Sequence, residues 1–208
     1  MGRHPLNAPL QLFLIRHGET AWSLTGQHTG RTDIALTPSG VEMARQLAPG
    51  LRNITFDAVL SSPRLRARST CELAGFPAPD IEPDLAEWDY GDCEGQRSVD
   101  IRQTRPGWDI WRDGCPGGES PMEVAGRADR LISKLMGRSG NVALFTHGQF
   151  GRVLAARRVG WPVDAARHLW FRPACIGVLG TDLAHGDGRV IALWNADVAA
   201  VPGWAQAR

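Results

Sequence analysis

The stretch Leu12-Phe13-Leu14-Ile15-Arg16-His17-Gly18 decides how this chain is read, because Val142-Ala143-Leu144-Phe145-Thr146-His147-Gly148 repeats its design later on. Each is a short apolar run, the pattern of a strand buried on both faces, and each ends on a histidine followed by glycine. If the two strands lie near one another in a sheet, both imidazoles reach the same edge and the glycines leave room for an anion. That arrangement suits phosphoryl transfer through histidine.

Working outward, Leu10 to Ile15 reads as the first strand and Gly18 to Thr37 as a long loop, which in a compact domain is usually functional. Thr37-Pro38 supplies an N-cap and an N1 proline for a helix to about Ala48. Asp57 to Leu60 is a second strand, followed by Ser62-Pro63 as a second cap and N1 pair. From Gly75 to Gly118 the pattern dissolves into Pro, Gly, Trp and Asp, apart from a short helix beginning at Ser98, and predicts a lid-like excursion over the sheet edge. Ser120-Pro121-Met122-Glu123 is a capping-box start, continued at helical period by Val124, Ala128, Leu131 and Leu135. Asn141 to Thr146 is the strand that carries His147, and Phe150 to Val159 a further helix. Ile176 to Leu179 and Val190 to Trp194 read as edge strands joined by a turn around Gly186 and Gly188.

Alternating strands and helices predict an α/β fold, a three-layer α/β/α sandwich with a mainly parallel central sheet. One domain over residues 1–208 is expected, with tails at 1–9 and from about 196. In such sheets ligands bind beyond the carboxyl ends of the strands, where Arg16, His17, Ser61, Ser62 and His147 fall.

Bulk properties narrow the function classes. Apolar content of 43%, charge of 22% and a net charge of +1 describe an ordinary globular chain and give no electrostatic reason for a nucleic-acid partner. The first apolar run is too short for a membrane span or a signal-peptide core. Cys71, Cys93, Cys115 and Cys175 form no C-x-x-C pair and no zinc spacing with histidine, so no metal or cofactor is expected and a reducing, cytoplasmic setting is favoured.

A phosphate ester gives up its phosphoryl group only when charge on the equatorial oxygens is held by fixed cations. With no metal site in view, arginine forks and a charged imidazole are the substitutes. Here the resemblance becomes plain: Leu14-Ile15-Arg16-His17-Gly18-Glu19-Thr20 resembles the signature of the histidine phosphatase superfamily, the phosphoglycerate mutase-like family. Supporting blocks are Gly30-Arg31-Thr32-Asp33, Ser61-Ser62-Pro63-Arg64-Leu65-Arg66-Ala67, Glu87-Trp88-Asp89-Tyr90-Gly91 with Glu94-Gly95, and Thr146-His147-Gly148, together covering Leu12 to about Leu179.

The resemblance implies that His17 is the nucleophile, that Arg16 and Arg66 clamp phosphoryl oxygens, that His147 is a second, cationic ligand, and that Glu87 is the acid and base. His17 must attack as neutral imidazole and His147 works best charged, so their environments are expected to push their pKa values apart. Arg66 is selected by its place before Ala67; a helix starting later than Ser62 would bring Arg64 inward instead, and Arg68 is a further alternative. Asp89 and Glu94 compete with Glu87. By the same resemblance Ser23, Thr29, Gly30, Tyr90 and Gly148 are substrate-binding candidates. Trp88, Trp108 and Trp111 are candidates for an apolar wall around Glu87. His4, His28, His168 and His185 carry no motif and are assigned to loops or surface.

The branch resembled most is that of sedoheptulose-1,7-bisphosphatase and broad acid phosphatases, although His28 stands where that branch carries an aromatic ring. The expected function is metal-independent hydrolysis of a small phosphorylated metabolite, a sugar phosphate or bisphosphate, through a phosphohistidine. Two alternatives are a phosphoglycerate mutase-type transfer, disfavoured by the short span from Glu87 to His147, and a non-catalytic phospho-ligand binder, disfavoured because every catalytic group is present. The expected partner is the substrate alone, with neither nucleic acid nor membrane, and a homodimer is left open.

Overall fold

In the computed structural model, which describes residues 9–182 and 188–201, the side chains of the two apolar runs alternate between two cores. The elements in chain order are β1 (Gln11–Arg16), α1 (Ala21–Thr25), α2 (Pro38–Leu51), β2 (Ala58–Ser61), α3 (Leu65–Leu73) and β3 (Asp80–Ile81). Then follow α4 (Ser98–Thr104), α5 (Ile110–Asp113), α6 (Pro121–Leu135), β4 (Asn141–Thr146), α7 (Gly148–Arg158), β5 (Ile176–Thr181) and β6 (Arg189–Ala196). Leu12, Leu14, Val142 and Leu144 pack with Val124, Ala128 and Leu131 of α6 and Val153 and Leu154 of α7. Phe13, Ile15, Ala143 and Phe145 pack on the other face with Leu47 and Leu51 of α2 and Cys71 of α3. A strand with both faces covered has no use for polar alternation, which is why its sequence is continuously apolar.

The sheet order is β3-β2-β4-β1-β5-β6. The neighbours β1/β4, β2/β4 and β2/β3 run parallel, whereas β5 is antiparallel to both β1 and β6. The α/β sandwich and its mainly parallel sheet are therefore as the alternation predicts. One strand is placed differently: β5 lies inside the sheet, and the edges are β3 and β6. Residue Gly186 of the expected turn lies outside the described residues.

Three local readings are corrected. Helix α3 starts at Leu65 with Arg64 as its N-cap residue, because the Ser62 hydroxyl is committed elsewhere, accepting from Arg64 N at 3.2 Å and meeting His147. The long loop contains α1, closed by a capping box in which Thr20 and Ser23 exchange hydrogen bonds. The excursion from 75 to 118 is a wall of the core: it adds β3 to the sheet and buries Leu85, Trp88, Ile101, Trp108 and Trp111 in the same cluster as α6 and α7. At the C-terminal end the chain stays packed to Val201. The 3-10 turn Val198–Ala200 lies against α2 where Gly50 leaves space, since a Cβ there would come within 2.3 Å of Val198 Cγ2.

Candidate active site

Register brings the two histidines together. Arg16 of β1 pairs with Thr146 of β4, and His17 N donates to the Thr146 carbonyl at 3.0 Å, so the residues after both strands emerge side by side. The rings of His17 and His147 stand 5.2 Å apart between centroids, at 61°.

Their hydrogen bonds differ. Nδ1 of His17 lies 2.7 Å from the Gly18 carbonyl oxygen. A carbonyl only accepts, so Nδ1 carries the proton and Nε2 keeps its lone pair. Burial, reinforced by Arg66 and Arg16, pulls the His17 pKa well below the usual 6.5, against the pull of the Gly18 bond. The ring is therefore held in its neutral form, with Nε2 unprotonated. His147 is tied by the opposite nitrogen, with Nε2 2.7 Å from Ser62 Oγ. Burial, then Arg66, His17, Arg127 and Arg16, lower its pKa as well. Both shifts thus run in the same direction, and not in opposite ones as expected, because both rings are desolvated among the same arginines.

Arg16 and Arg66 complete the cluster. Arg16 donates through Nη1 to the Phe171 carbonyl, and Gly148 leaves it room: a Cβ there would fall 3.0 Å from Arg16 Cζ. Burial lowers the Arg16 pKa to about 10, with Glu87 opposing, so the guanidinium stays charged at neutral pH. Arg66 on α3 is fully buried and donates to the carbonyls of Thr29 at 2.7 Å and Thr32 at 3.1 Å. Arg64, despite the later helix start, reaches the Arg31 carbonyl at 3.1 Å, and Arg68 is exposed. Arg16 Nε, Arg66 Nε and His147 Nδ1 are all buried without a protein hydrogen-bond partner. An unpaired buried polar atom costs about 1–3 kcal/mol, so each of these three can take an oxygen ligand, although Arg66 and His147 are not among the residues lining the cavity beside His17.

Glu87 faces this cluster with its carboxyl group held by backbone. Oε1 accepts from Trp88 N at 2.8 Å and Phe150 N at 2.7 Å, and Oε2 from Gln149 N at 3.0 Å. The free N–H groups at the start of α7 are thereby spent on orienting a carboxylate. The competitors are engaged elsewhere: Glu94 accepts from Gly30 N and Thr32 N, and Asp89 pairs with Arg31 and caps Gly91 N.

A cavity of about 250 Å³ opens beside His17 and Glu87. Ser23, Thr29, Tyr90 and Gly148 line it as expected, although the Ser23 hydroxyl is occupied by the Thr20 backbone. Gly30 does not line it: its N–H is held by Glu94, and a Cβ would come within 2.6 Å of the Trp88 carbonyl oxygen, so it serves close packing. The tryptophan wall is also displaced. Trp88 is fully buried with Nε1 on the Glu119 carbonyl and packs edge-on against Trp111, behind the site. The aromatic lining is instead Tyr90, Phe171 and Trp170, together with His28.

The model of the histidine phosphatase superfamily (branch 1) matches residues 12–197 of this chain. The chain belongs to the histidine phosphatase superfamily. It is 39% identical over 181 residues to an acid phosphatase of Mycobacterium tuberculosis, covering 85% of this chain and 88% of that protein. It is 36% identical over 176 residues to sedoheptulose 1,7-bisphosphatase of Saccharomyces cerevisiae, covering 69% and 65%. Among solved structures, an open-reading-frame product of Mycobacterium tuberculosis superposes with TM-score 0.83 at 37% identity, covering 90% of this chain and 98% of that one. Mycobacterial glucosyl-3-phosphoglycerate phosphatase superposes with TM-score 0.79 at 25% identity, covering 90% and 99%. This histidine phosphatase is an enzyme of phosphate-ester chemistry.

Several site residues of this histidine phosphatase were not read from sequence. His28, assigned to a loop or surface, is buried with its ring 4.6 Å from Tyr90 and 5.8 Å from Trp108, and with Nε2 3.2 Å from Ser98 Oγ. Burial lowers its pKa to about 4, with Glu94 opposing and Arg102 adding. Gln149 accepts from the Tyr90 hydroxyl at 2.8 Å, and Arg152 lines the cavity one turn further along α7. Their spacing from His147 on a helix starting at Gly148 was the available signal. Ser62, which its strand-end position had already placed at this edge, is found as the partner of His147. His4 and His185 lie outside the described residues.

Proposed function

We propose that this phosphatase hydrolyses small phosphomonoesters through a phosphohistidine on His17, with no metal ion taking part. The observation that carries the reading is the nucleophile's setting: Nδ1–H is locked on Gly18, the His147 ring stands 5.2 Å away, and the charges of Arg16 and Arg66 act on the ring, with Arg16 Nε, Arg66 Nε and His147 Nδ1 buried and unpaired. Among the described residues no three His, Cys, Asp or Glu side chains cluster as a metal cage; the positive charge the reaction needs is available from guanidinium groups.

The lone pair on His17 Nε2 attacks phosphorus as the bond to the leaving oxygen breaks, and Glu87 protonates that oxygen. Arg16, Arg66 and His147 hold the three equatorial oxygens, and the dianion supplies the opposite charge that favours the His147 imidazolium. Water then attacks the phosphohistidine, Glu87 takes its proton, and inorganic phosphate leaves with His17 neutral again. The relatives' names support a substrate of sugar-phosphate size, as does a cavity of about 250 Å³ lined by hydroxyl, amide and aromatic groups. The test is turnover of a ³²P-labelled ester in the presence of chelator, quenched in alkaline detergent. The expected adduct is acid-labile, base-stable and maps to His17; an adduct elsewhere, or turnover abolished by chelator, refutes the proposal.

A further inference from the structure

Glu87 must present its carboxyl group to the leaving oxygen, yet it sits on irregular backbone between β3 and α4 where no ladder holds the chain. A partly buried ion pair reaching from α6 holds this backbone. The guanidinium of Arg127 donates through Nη1 to the carbonyls of Asp84 at 3.0 Å and Ala86 at 2.6 Å, and through Nη2 to the carbonyl of Glu87 at 3.2 Å. Its Nε and Nη2 also form a two-pronged bond with Glu119, at 2.8 and 2.7 Å. Glu119 in turn grips the far side of Glu87: Oε2 accepts from Asp89 N at 2.9 Å, the backbone N donates to the Asp89 carbonyl at 2.9 Å, and the carbonyl accepts from Trp88 Nε1 at 2.9 Å. Residues 84 to 89 are thus pinned on both flanks of Glu87 by one pair.

The same guanidinium lies 4.3 Å from the centroid of the Phe150 ring, and Phe150 N is a donor to Glu87 Oε1. The pair therefore touches the backbone that carries the acid and the residue that aims its carboxyl group. A buried ion pair is a weak source of stability, because desolvating two charges offsets most of their attraction. A planar fork with five donors supplies something an apolar pair does not: fixed positions for several carbonyls at once.

We propose that the Arg127–Glu119 pair is the positioning device for the general acid of this enzyme, acting through Glu87 without touching substrate. The inference rests on the assignment of Glu87 as the acid. Arg127 also bears electrostatically on His147, so a simple loss of rate would not isolate its role. Leaving-group dependence does. p-Nitrophenolate departs with little help from a proton, whereas the alkoxide of glycerol phosphate needs one, and a phosphate-holding group serves both esters alike.

The measurement is the ratio of kcat/KM for glycerol phosphate to that for p-nitrophenyl phosphate, taken on one preparation so that any unfolded fraction cancels. Glu87→Gln sets the reference, with a fall in the ratio of about 10²-fold. Arg127→Met is expected to lower the ratio about tenfold, Arg127→Lys and Glu119→Gln by less, since each keeps part of the fork. If the Arg127 and Glu119 variants slow both esters by one common factor while Glu87→Gln lowers the ratio, the positioning role is refuted and the acid assignment stands. If Glu87→Gln leaves the ratio unchanged, both fall together.

Discussion

The two strand–histidine–glycine segments are nearly alike as sequence and opposite as chemistry. In the first, Nδ1 of His17 is fastened to its neighbour's carbonyl, which leaves Nε2 for the proposed attack. In the second, Nε2 of His147 is fastened to Ser62 and Nδ1 is the buried nitrogen without a protein partner, the one proposed to bind phosphate. The glycines divide in the same way. A Cβ at Gly18 would meet the Gly40 carbonyl oxygen at 2.4 Å, a backbone contact that keeps β1 against α2, whereas a Cβ at Gly148 would meet the side chain of Arg16. Identical residues acquire different roles from whichever atom the surrounding fold takes up first.

Removing the imidazoles is the harshest way to break the symmetry. His17→Ala is expected to abolish turnover, a loss of about 10⁴-fold or more in kcat, because no other group can form the covalent intermediate. His147→Ala should cost about 10²–10³-fold and still form the phosphohistidine, slowly, since it removes one oxygen ligand rather than the nucleophile. Equal losses, or an adduct absent from His147→Ala in single-turnover labelling, would show that the two rings are not specialised as described.

The glycines sharpen the contrast at smaller amplitude. Gly18→Ala meets backbone that cannot yield and should lower stability by about 1–3 kcal/mol in denaturant titration. Gly148→Ala meets the end of a flexible side chain, so its expected signature is a kcat/KM fall of about tenfold with little change in the unfolding midpoint. The reverse pattern would mean that the second glycine is the packing residue.

The smallest effect is shared by both segments. Histidines whose folded pKa lies below 6.5 bind fewer protons folded than unfolded, so stability is full above that pH and declines as pH falls through the interval down to the folded value. His28, held near 4, adds a third such group. The melting temperature should therefore drop steadily from pH 7 toward pH 4, and His28→Phe should flatten the slope by about one proton. An unchanged slope in that variant would remove His28 from the account.

Much of the site was legible because its parts sit at strand ends, where period and position are local properties. His17, Arg16 and His147 follow from two apolar runs that must pair, and Glu87 from its block. Arg66 was harder: the sequence offers Arg64, Arg66 and Arg68 in one stretch, and the helix starts later than Ser62-Pro63 implies. Only packing shows Arg66 turned inward. His28 reaches the cavity from a loop with no local signal, whereas Gln149 and Arg152 follow His147 on α7, a spacing that becomes proximity only once the helix starts at Gly148.

The amino-acid sequence alone settled the layers of this protein, the strands that must be buried and the pair of histidines that end them, since hydrophobic period and helix caps are written within a dozen residues. Only the tertiary structure decided which nitrogen of each ring is taken up and which tryptophans stand behind the site. Those outcomes depend on hydrogen-bond partners brought together from distant segments, such as Ser62 to His147 or Arg127 to Glu87, and no local pattern encodes them.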